Sequence, residues 1–291
     1  MKAALSQKAL FVSPTLIYLL AFTIYPLIYA LGISFTDLNL ARQGTGVFVG
    51  IRNYVGLFSS ETLFPRAVAN VFITISIGIT VELVLGYAIA RLFFVARNLK
   101  AIVLIRTIYI VPIMITPLVF GLVSSYVFNP LLGIANFVLS LARIPPLPWY
   151  GSPHTALATI ILVDTWQWTP FMVLVLLSGL MSIPPDLLEN AEVDGARLPQ
   201  KIFLIEVPLI TRVIGIAVLM RFMDIFRMFD LVYATTQGGP GGATEIISMF
   251  AYREAFNYYN TGIGSAAAIL ALIMTTVLSL FLNRYLGGHQ R

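Results

Sequence analysis

The stretch Met181–Pro208 reads MSIPPDLLENAEVDGARLPQKIFLIEVP and interrupts a chain that is otherwise very apolar. It contains five of the protein's 13 acidic residues. Apolar runs long enough to cross a bilayer lie before and after it, so the stretch is a polar connection between two membrane helices. A polar, structured loop in this place is a candidate contact surface for another protein.

The sequence of this loop predicts two short helices joined at Gly195. The Pro-Pro-Asp segment that ends at Asp186 can begin the first helix, because proline is accepted in the first turn and an acid is favoured near the positive end of the dipole. We expect this helix to end near Asp194, where Gly195 supplies a turn with positive φ at no steric cost. The second helix begins near Pro199 and stops or bends at Pro208.

The two helices are expected to share an apolar side formed by Leu187, Leu188, Ala191, Ile202 and Phe203. The small side chain of Ala191 would also let another surface approach closely. An ordinary solvated loop is the alternative that the residues alone leave open.

The composition of the whole chain indicates a polytopic membrane protein. Of its 291 residues, 58% are hydrophobic and only 11% are charged, whereas a soluble domain carries roughly 25% charged residues. The net charge of +5 is spread along the chain and forms no dense patch of the kind that binds nucleic acid. The absence of cysteine excludes disulfides, cysteine metal sites and thiol catalysis.

Six apolar runs are long enough to cross a bilayer as helices, which takes about 20 residues. They lack the alternation of barrel strands, so the predicted fold is all-α with six transmembrane helices in one domain over residues 1–291. The first run is long enough to remain as a span rather than a cleaved signal. The predicted spans are residues 10–35, 67–90, 102–128, 155–180, 208–234 and 264–285.

The distribution of lysine and arginine predicts the orientation of these spans. If the N-terminus is cytoplasmic, eleven of the 18 basic residues lie in cytoplasmic segments and five lie outside, with Arg221 and Arg227 inside the fifth span. This excess of basic residues places both termini and the Met181–Pro208 loop (residues 181–208) in the cytoplasm.

Ionisable residues at membrane depth are costly and commonly face a cavity or a partner. Glu82 falls in the second predicted span and Asp164 in the fourth, while Arg221, Asp224, Arg227 and Asp230 follow at three-residue intervals in the fifth. Alternating charges at this spacing can pair on a helix. They are interpreted either as a polar wall of a translocation path or, for Arg221 and Asp224 above all, as a structural ion-pair ladder between helices.

Aromatic and amide side chains stand close to Asp164 in the fourth span. Trp166, Gln167 and Trp168 offer the hydrogen bonds and aromatic faces that hold sugars, and we expect all three to line a solute path. An aromatic belt at the interface is the alternative. Pro170 in this span, and Pro112 and Pro117 in the third, are expected to kink their helices.

The loop resembles the EAA motif of permease subunits from binding-protein-dependent ABC importers. The resemblance rests on Glu189-Asn-Ala191, three residues, Gly195, nine residues, Ile205, one residue and Val207-Pro208. The chain departs from the motif at Asn190, at Pro199 and at Val207.

Further segments resemble the MalF-like sugar-permease branch of that family. They are Tyr25-Pro26, residues 34–37, 49–54, 128–130, 164–171, 229–233, 238–240 and 243–245.

This resemblance implies the fold, the partners and the location of the protein. It implies a permease subunit in the bacterial cytoplasmic (inner) membrane that pairs with a second, similar subunit as a heterodimer. A cytoplasmic ATPase dimer would bind the coupling helix of the loop, and an extracytoplasmic binding protein would deliver a sugar or related polyol. The loop residues that it assigns to ATPase coupling are Glu189, Ala191, Asp194, Gly195 and Ala196.

The chain has no G-x-x-x-x-G-K-[ST] phosphate loop, so we expect ATP and its magnesium to be bound by the partner ATPase and this subunit to be no enzyme. His154 and His289 have no partner at metal-ligand spacing, and no cofactor is predicted. The alternative function is an ion-coupled secondary transporter or channel that acts without an ATPase through acids such as Asp164 and Asp224. The particular sugar or polyol is left open by the sequence.

Overall fold

A computed structural model describes residues 12–42, 46–59 and 61–287, and in these ranges the regular structure is helical, with one isolated β-bridge between Thr36 and Phe48. The predicted all-α class is thereby confirmed. The helices discussed below are α1 (Val12–Ser34), α2 (Arg52–Leu57), α3 (Phe64–Val95), α4 (Lys100–Met114), α5 (Pro117–Val127), α6 (Ile134–Leu141), α7 (Ala156–Met181), α8 (Pro185–Val193), α9 (Leu198–Leu209), α10 (Thr211–Phe226), α11 (Asp230–Thr235), α12 (Ile247–Tyr252) and α13 (Thr261–Gly287).

Four helices are long and apolar enough to cross a membrane: α1, α3, α7 and α13. Two bent pairs, α4 with α5 and α9 with α10, raise the number to six if each pair is one span. Many large apolar side chains on these helices are exposed, as Phe22 on α1 and Phe281 on α13 illustrate with 69% and 67% exposed. Such surfaces suit contact with lipid or with another membrane subunit.

The bends lie at the prolines of the two pairs. The axes of α4 and α5 differ by 96°, and Ile115 and Thr116 between them are extended. Thr116 precedes Pro117, which disfavours the helical conformation of the residue before it. The axes of α9 and α10 differ by 70° at Ile210, two residues after Pro208, and α9 contains a π-helical segment at Lys201–Glu206. By contrast, α7 continues as one helix through Pro170.

The fifth predicted span ends earlier than the apolar pattern suggested. We expected one span to Ala234, but α10 ends at Phe226 and a separate helix, α11, begins at Asp230. Arg227 follows the carboxyl end of α10, and Asp230 occupies the first turn of α11. Each charge is therefore at the helix end that the dipole favours. The alternating charges at Arg227 and Asp230 accompany the break between two helices and do not continue one span.

The chain divides into two compact units, one made of residues up to Pro65 together with Phe250–Ile273, the other of Arg66–Met249 together with residues from Met274 onward. In the first unit, Asn53 donates hydrogen bonds to the carbonyls of Ser34 and Thr36, at 2.8 and 2.7 Å. The Tyr54 hydroxyl lies 2.7 Å from Ser34 Oγ. The Val49–Tyr54 segment therefore fixes the end of α1.

In the second unit, a buried apolar cluster supports the loop after α7. It joins the last turns of α3, the start of α4 and the second half of α7, and Leu180, Ile183 and Ile210 in it are at most 5% exposed. Ile183 lies before α8, and Ile210 lies at the bend between α9 and α10. Both ends of the loop are therefore anchored in one core.

Candidate functional site

The helix α8 ends in a turn built on two backbone hydrogen bonds. The Ala196 amide donates to the Ala191 carbonyl at 2.9 Å, and the Gly195 amide donates to the Glu192 carbonyl at 3.0 Å. This pairing is the Schellman motif, which needs a left-handed residue, and Gly195 has φ +74°. A Cβ added at Gly195 would meet nothing within 4 Å, so the backbone conformation and not the available space requires glycine here.

The two helices of the loop are also held together by side chains. The Arg197 amide donates to Gln200 Oε1 at 2.7 Å and so begins α9. Lys201 Nζ lies 2.7 Å from Glu192 Oε1, and this hydrogen bond and positive charge lower the pKa of the Glu192 carboxyl. The loop is thus an ordered pair of helices and not an irregular connection.

The sequence-predicted coupling residues differ in exposure. Glu189, Asp194 and Gly195 are exposed, Ala196 is half-buried, and Ala191 is buried at 9%. Ala191 therefore packs inside the chain, and the coupling role of these five residues stays a prediction.

The expected apolar side of the loop is also only partly formed. Leu188 and Ile202 are half-buried, whereas Leu187 and Phe203 are 44% and 68% exposed. The side chains of Leu187 and Phe203 therefore lie on the outer surface of the loop and point away from its core.

On its inner side, the loop carries a buried carboxylate that the sequence reading did not single out. Glu206, at the end of the π-helical segment, is 2% exposed. It accepts a short hydrogen bond from the Tyr87 hydroxyl and hydrogen bonds from Arg91 Nε at 3.1 and 3.3 Å. Tyr87 and Arg91 are four residues apart on α3, so they share one face of that helix.

A cavity of about 390 Å³ lies beside these contacts. Its charged lining residues carry both signs and come from the end of α3, from the residues just after it and from the loop. They are Arg91, Arg97, Glu189, Glu192, Lys201 and Glu206. The loop is therefore not packed solidly against α3, and the Glu206 contacts bridge a region with free space.

A second charged cluster is centred on Arg221, which is 1% exposed. Its guanidinium donates to both carboxylate oxygens of Glu82, at 2.6 and 2.7 Å, and to Asp164 and Asp224, each at 2.6 Å. The ring of Trp168 lies 4.8 Å from the guanidinium carbon. These residues belong to α3, α7 and α10, so one arginine joins three helices.

The ion pairs expected between helices form at Arg221, but only the first of the three-residue steps along the predicted fifth span is itself paired. Arg221 and Asp224 are bonded, but Arg227 donates to the Met223 carbonyl and Asp230 lies on α11. The principal partners of Arg221 are acids from other helices. Sequence spacing could suggest the Asp224 pair, but it carries no signal for these tertiary contacts.

A smaller cavity of about 90 Å³ lies next to the Arg221 cluster. Gln167 donates to the Ile115 carbonyl at 2.9 Å, at the break between α4 and α5, and its buried Oε1 accepts no hydrogen bond. Six of the sequence-predicted path residues line this cavity: Asp164, Gln167, Trp168, Asp224, Arg227 and Asp230.

The other two predicted path residues lie outside the lining of this cavity. Trp166 is 62% exposed and packs against Phe120, with ring centroids 5.0 Å apart. Glu82 is fully buried and holds Arg221. Trp166 belongs to a different face of α7 because neighbouring helix positions point about 100° apart.

Known proteins share this architecture. The family model described as "Binding-protein-dependent transport system inner membrane component" matches residues 82–290. The trehalose/maltose transport system permease protein MalF of Thermococcus litoralis is 34% identical over 289 residues, covering 95% of this chain and 93% of that protein. The trehalose transport system permease protein SugA of Mycobacterium tuberculosis is 32% identical over 282 residues, covering 95% and 87%.

Two solved structures of bacterial alginate ABC transporters are similar in fold. One transporter, involved in the import of the acidic polysaccharide alginate, matches with a TM-score of 0.82 and 24% identity, covering 100% of this chain and 98% of that one. The other, in complex with an alginate pentasaccharide-bound periplasmic protein, matches with a TM-score of 0.81 and 25% identity, covering 97% and 94%.

Proposed function

The chain belongs to the family of binding-protein-dependent transport system inner membrane components, and from this premise we propose that its Met181–Pro208 loop receives the action of a separate ATPase. The protein is an integral-membrane permease of an ABC importer and a multi-pass inner-membrane protein. The observation that carries the proposal is the ordered loop: α8 ends at the Gly195 turn and presents Glu189 and Asp194 to solvent.

In the proposed topology, each bent helix pair counts as one span, which gives six spans with both termini in the cytoplasm. In the second pair, α9 belongs to the loop and α10 is the part that crosses the membrane. The excess of eleven basic residues over five supports this orientation. The loop between α7 and α9 then lies in the cytoplasm, where ATP is available. In this arrangement α8 is the coupling helix.

The proposed complex contains a second permease subunit as a heterodimeric partner, an ATPase dimer and an extracytoplasmic binding protein. ATP and its magnesium would be bound by the ATPase, because this sequence has no phosphate loop. Closure of the ATPase dimer would move the loop, and the membrane cavity would change from inward-open to outward-open. The binding protein would then release its solute into the cavity.

The proposed solute is a sugar or a sugar-like polyol, as the names of the relatives suggest. The cavity near Asp164, Gln167 and Trp168 supports a path for such a solute, because it combines carboxylate and amide groups with an aromatic face. The buried Oε1 of Gln167 is an unsatisfied acceptor that a sugar hydroxyl could pair with.

Reconstitution into vesicles tests the proposal. We expect uptake only when the partner permease, the ATPase, the binding protein and ATP are all present, and no uptake by this chain alone. An ATPase variant that binds but does not hydrolyse ATP is the control, and it should abolish repeated turnover. Uptake by the isolated chain, driven by an ion gradient, would instead support the ion-coupled alternative.

A further inference from the structure

Glu206 lies at the point where the loop leaves its cytoplasmic helices and turns into the membrane helix α10. It closes the π-helical segment of α9, four residues before the 70° bend at Ile210. Because α9 and α10 run in such different directions, a displacement along α9 is not passed on simply along the axis of α10. A side-chain contact from α9 to another span gives a second route.

The contacts of Glu206 provide such a route to α3. The carboxylate is 2% exposed and is bonded to the Tyr87 hydroxyl and to Arg91, whose side chain is 21% exposed. A buried carboxylate is costly unless its charge is paired and hydrogen-bonded, so the environment favours keeping these three groups together. The adjoining cavity of about 390 Å³ leaves open space beside these contacts, and the loop also meets the end of α3 through the apolar cluster that contains Ile183 and Ile210.

The same helix α3 also reaches the centre of the protein. Glu82, five residues before Tyr87, is held by Arg221, which is in turn bonded to α7 and α10. Glu82 and Arg91 are nine residues apart, which corresponds to about 13 Å along a helix. A shift of the loop that is transmitted to Arg91 would therefore reach the cluster that borders the predicted solute cavity.

We propose that Glu206 is a positioning residue that makes the loop and α3 move as one body during transport. Its contacts with Tyr87 and Arg91 would pass the displacement of α8 and α9 to the span that carries Glu82. This inference rests on the proposed coupling of the loop to an ATPase, and it adds the contact by which coupling enters the membrane region.

The test uses the complete importer in vesicles, with ATP hydrolysis and solute uptake measured together. Glu206→Gln keeps the size of the side chain and removes its charge. We expect a fall of about tenfold in solute moved per ATP hydrolysed, the scale of one lost hydrogen bond to a charged group. Hydrolysis itself should change much less, because the ATPase and the outer face of the loop are unaltered.

Two variants control this experiment. Glu61→Gln makes the same acid-to-amide change at an exposed position outside the loop and should leave uptake per ATP unchanged. The double variant Glu206→Arg with Arg91→Glu reverses the pair and should recover part of the lost coupling. Rescue by reversal separates a specific contact from a general need for an acid.

A distance measurement gives a direct readout of the shared movement. The chain has no cysteine, so labels can be placed on α3 and α9 at Leu92→Cys and Leu204→Cys, where the native side chains are 67% and 71% exposed. We expect the distance between the labels to stay constant between the nucleotide-free and ATP-bound states. In Glu206→Gln it should change with nucleotide, because α9 would move without α3.

The outcomes separate the two proposals. Native coupling in Glu206→Gln, equal loss of hydrolysis and uptake, or loss of subunits from the complex would each overturn the positioning role while the ATPase-driven function stands. A label distance that already changes in the native chain would overturn it as well. Uptake without any ATPase would remove the proposed function itself.

Discussion

Two charged clusters that share α3 differ in how completely they are enclosed. Arg221 is 1% exposed and bonds three carboxylates from three helices, with an aromatic ring against its face. Glu206 is a single carboxylate held by Tyr87 and Arg91, beside a cavity of about 390 Å³. The Arg221 guanidinium is enclosed by several redundant contacts, and the cavity next to its cluster is only about 90 Å³. Glu206 has fewer contacts and the larger cavity beside it.

This difference suggests a division of tasks. A closed cluster in which one arginine holds three helices can change its geometry only at high cost, because any broken contact leaves a buried charge unpaired. A cluster at the edge of a cavity can move with the loop and remain bonded. The Arg221 cluster is therefore expected to hold the spans together, and the Glu206 contacts to transmit movement to them.

The largest expected effect is on the closed cluster. Arg221→Met leaves Glu82 and Asp164 buried without their cation, and we expect a loss of stability of about 3–5 kcal/mol, the range for breaking a buried ion pair. The melting temperature and the yield of the purified complex measure it. Arg227→Met is the matched control, since Arg227 is exposed and donates only to the Met223 carbonyl among the contacts described.

A compensated variant sharpens this prediction. If the loss comes from unpaired buried acids, adding Glu82→Gln and Asp164→Asn to Arg221→Met should restore part of the melting temperature. An additive loss in the triple variant would mean that the cluster stabilises the protein through packing and not through charge balance.

A smaller effect is expected in the loop that carries Glu206, at the turn between its two helices. Gly195→Val places a β-branched residue at φ +74°, which costs on the order of 1–3 kcal/mol of local strain. The strain should distort the turn, so that uptake falls more than ATP hydrolysis does. The measurement is solute moved per ATP in reconstituted vesicles.

Asparagine provides the matched control at this position. Gly195→Asn should retain most of the coupling, because asparagine tolerates the left-handed region and the added Cβ meets no neighbour within 4 Å. Equal behaviour of the valine and asparagine variants would show that backbone conformation at the turn does not matter for coupling.

The turn and the helix breaks could be predicted from sequence because their causes are local. Gly195, Pro117 and Pro208 each act on residues within one turn of the chain. The partners of Arg221 could not be predicted in this way, since Glu82 and Asp164 are 139 and 57 residues away. The sequence favoured ion pairs between helices for Arg221, but only tertiary packing determines which acids they involve.

The same limit explains why Trp166 lies apart from Gln167 and Trp168, and why Glu206 did not stand out in the sequence. Trp166 was grouped with Gln167 and Trp168 by adjacency, although adjacent helix positions face different directions. Glu206 looked like one acid among several in the polar loop, and only the position of α3 reveals that Tyr87 and Arg91 lie against it.

The smallest effect is expected for the exposed ion pair between Lys201 and Glu192, whose side chains are 16% and 68% exposed. It is the outer counterpart of the Glu206 contacts within the same loop.

Lys201 lowers the pKa of Glu192 in the folded protein. The stabilisation that the pair contributes is therefore present above the ordinary carboxyl pKa and is lost as pH falls through the lowered value. The difference in melting temperature between the native chain and Glu192→Gln should therefore be slight at neutral pH and vanish once the pH has fallen below the lowered pKa of Glu192. It should also shrink in high salt, because exposed pairs are screened. A difference that survives both acid and salt would mean that Glu192 acts as the buried Glu206 does, and the contrast between an outer and an inner contact would fail.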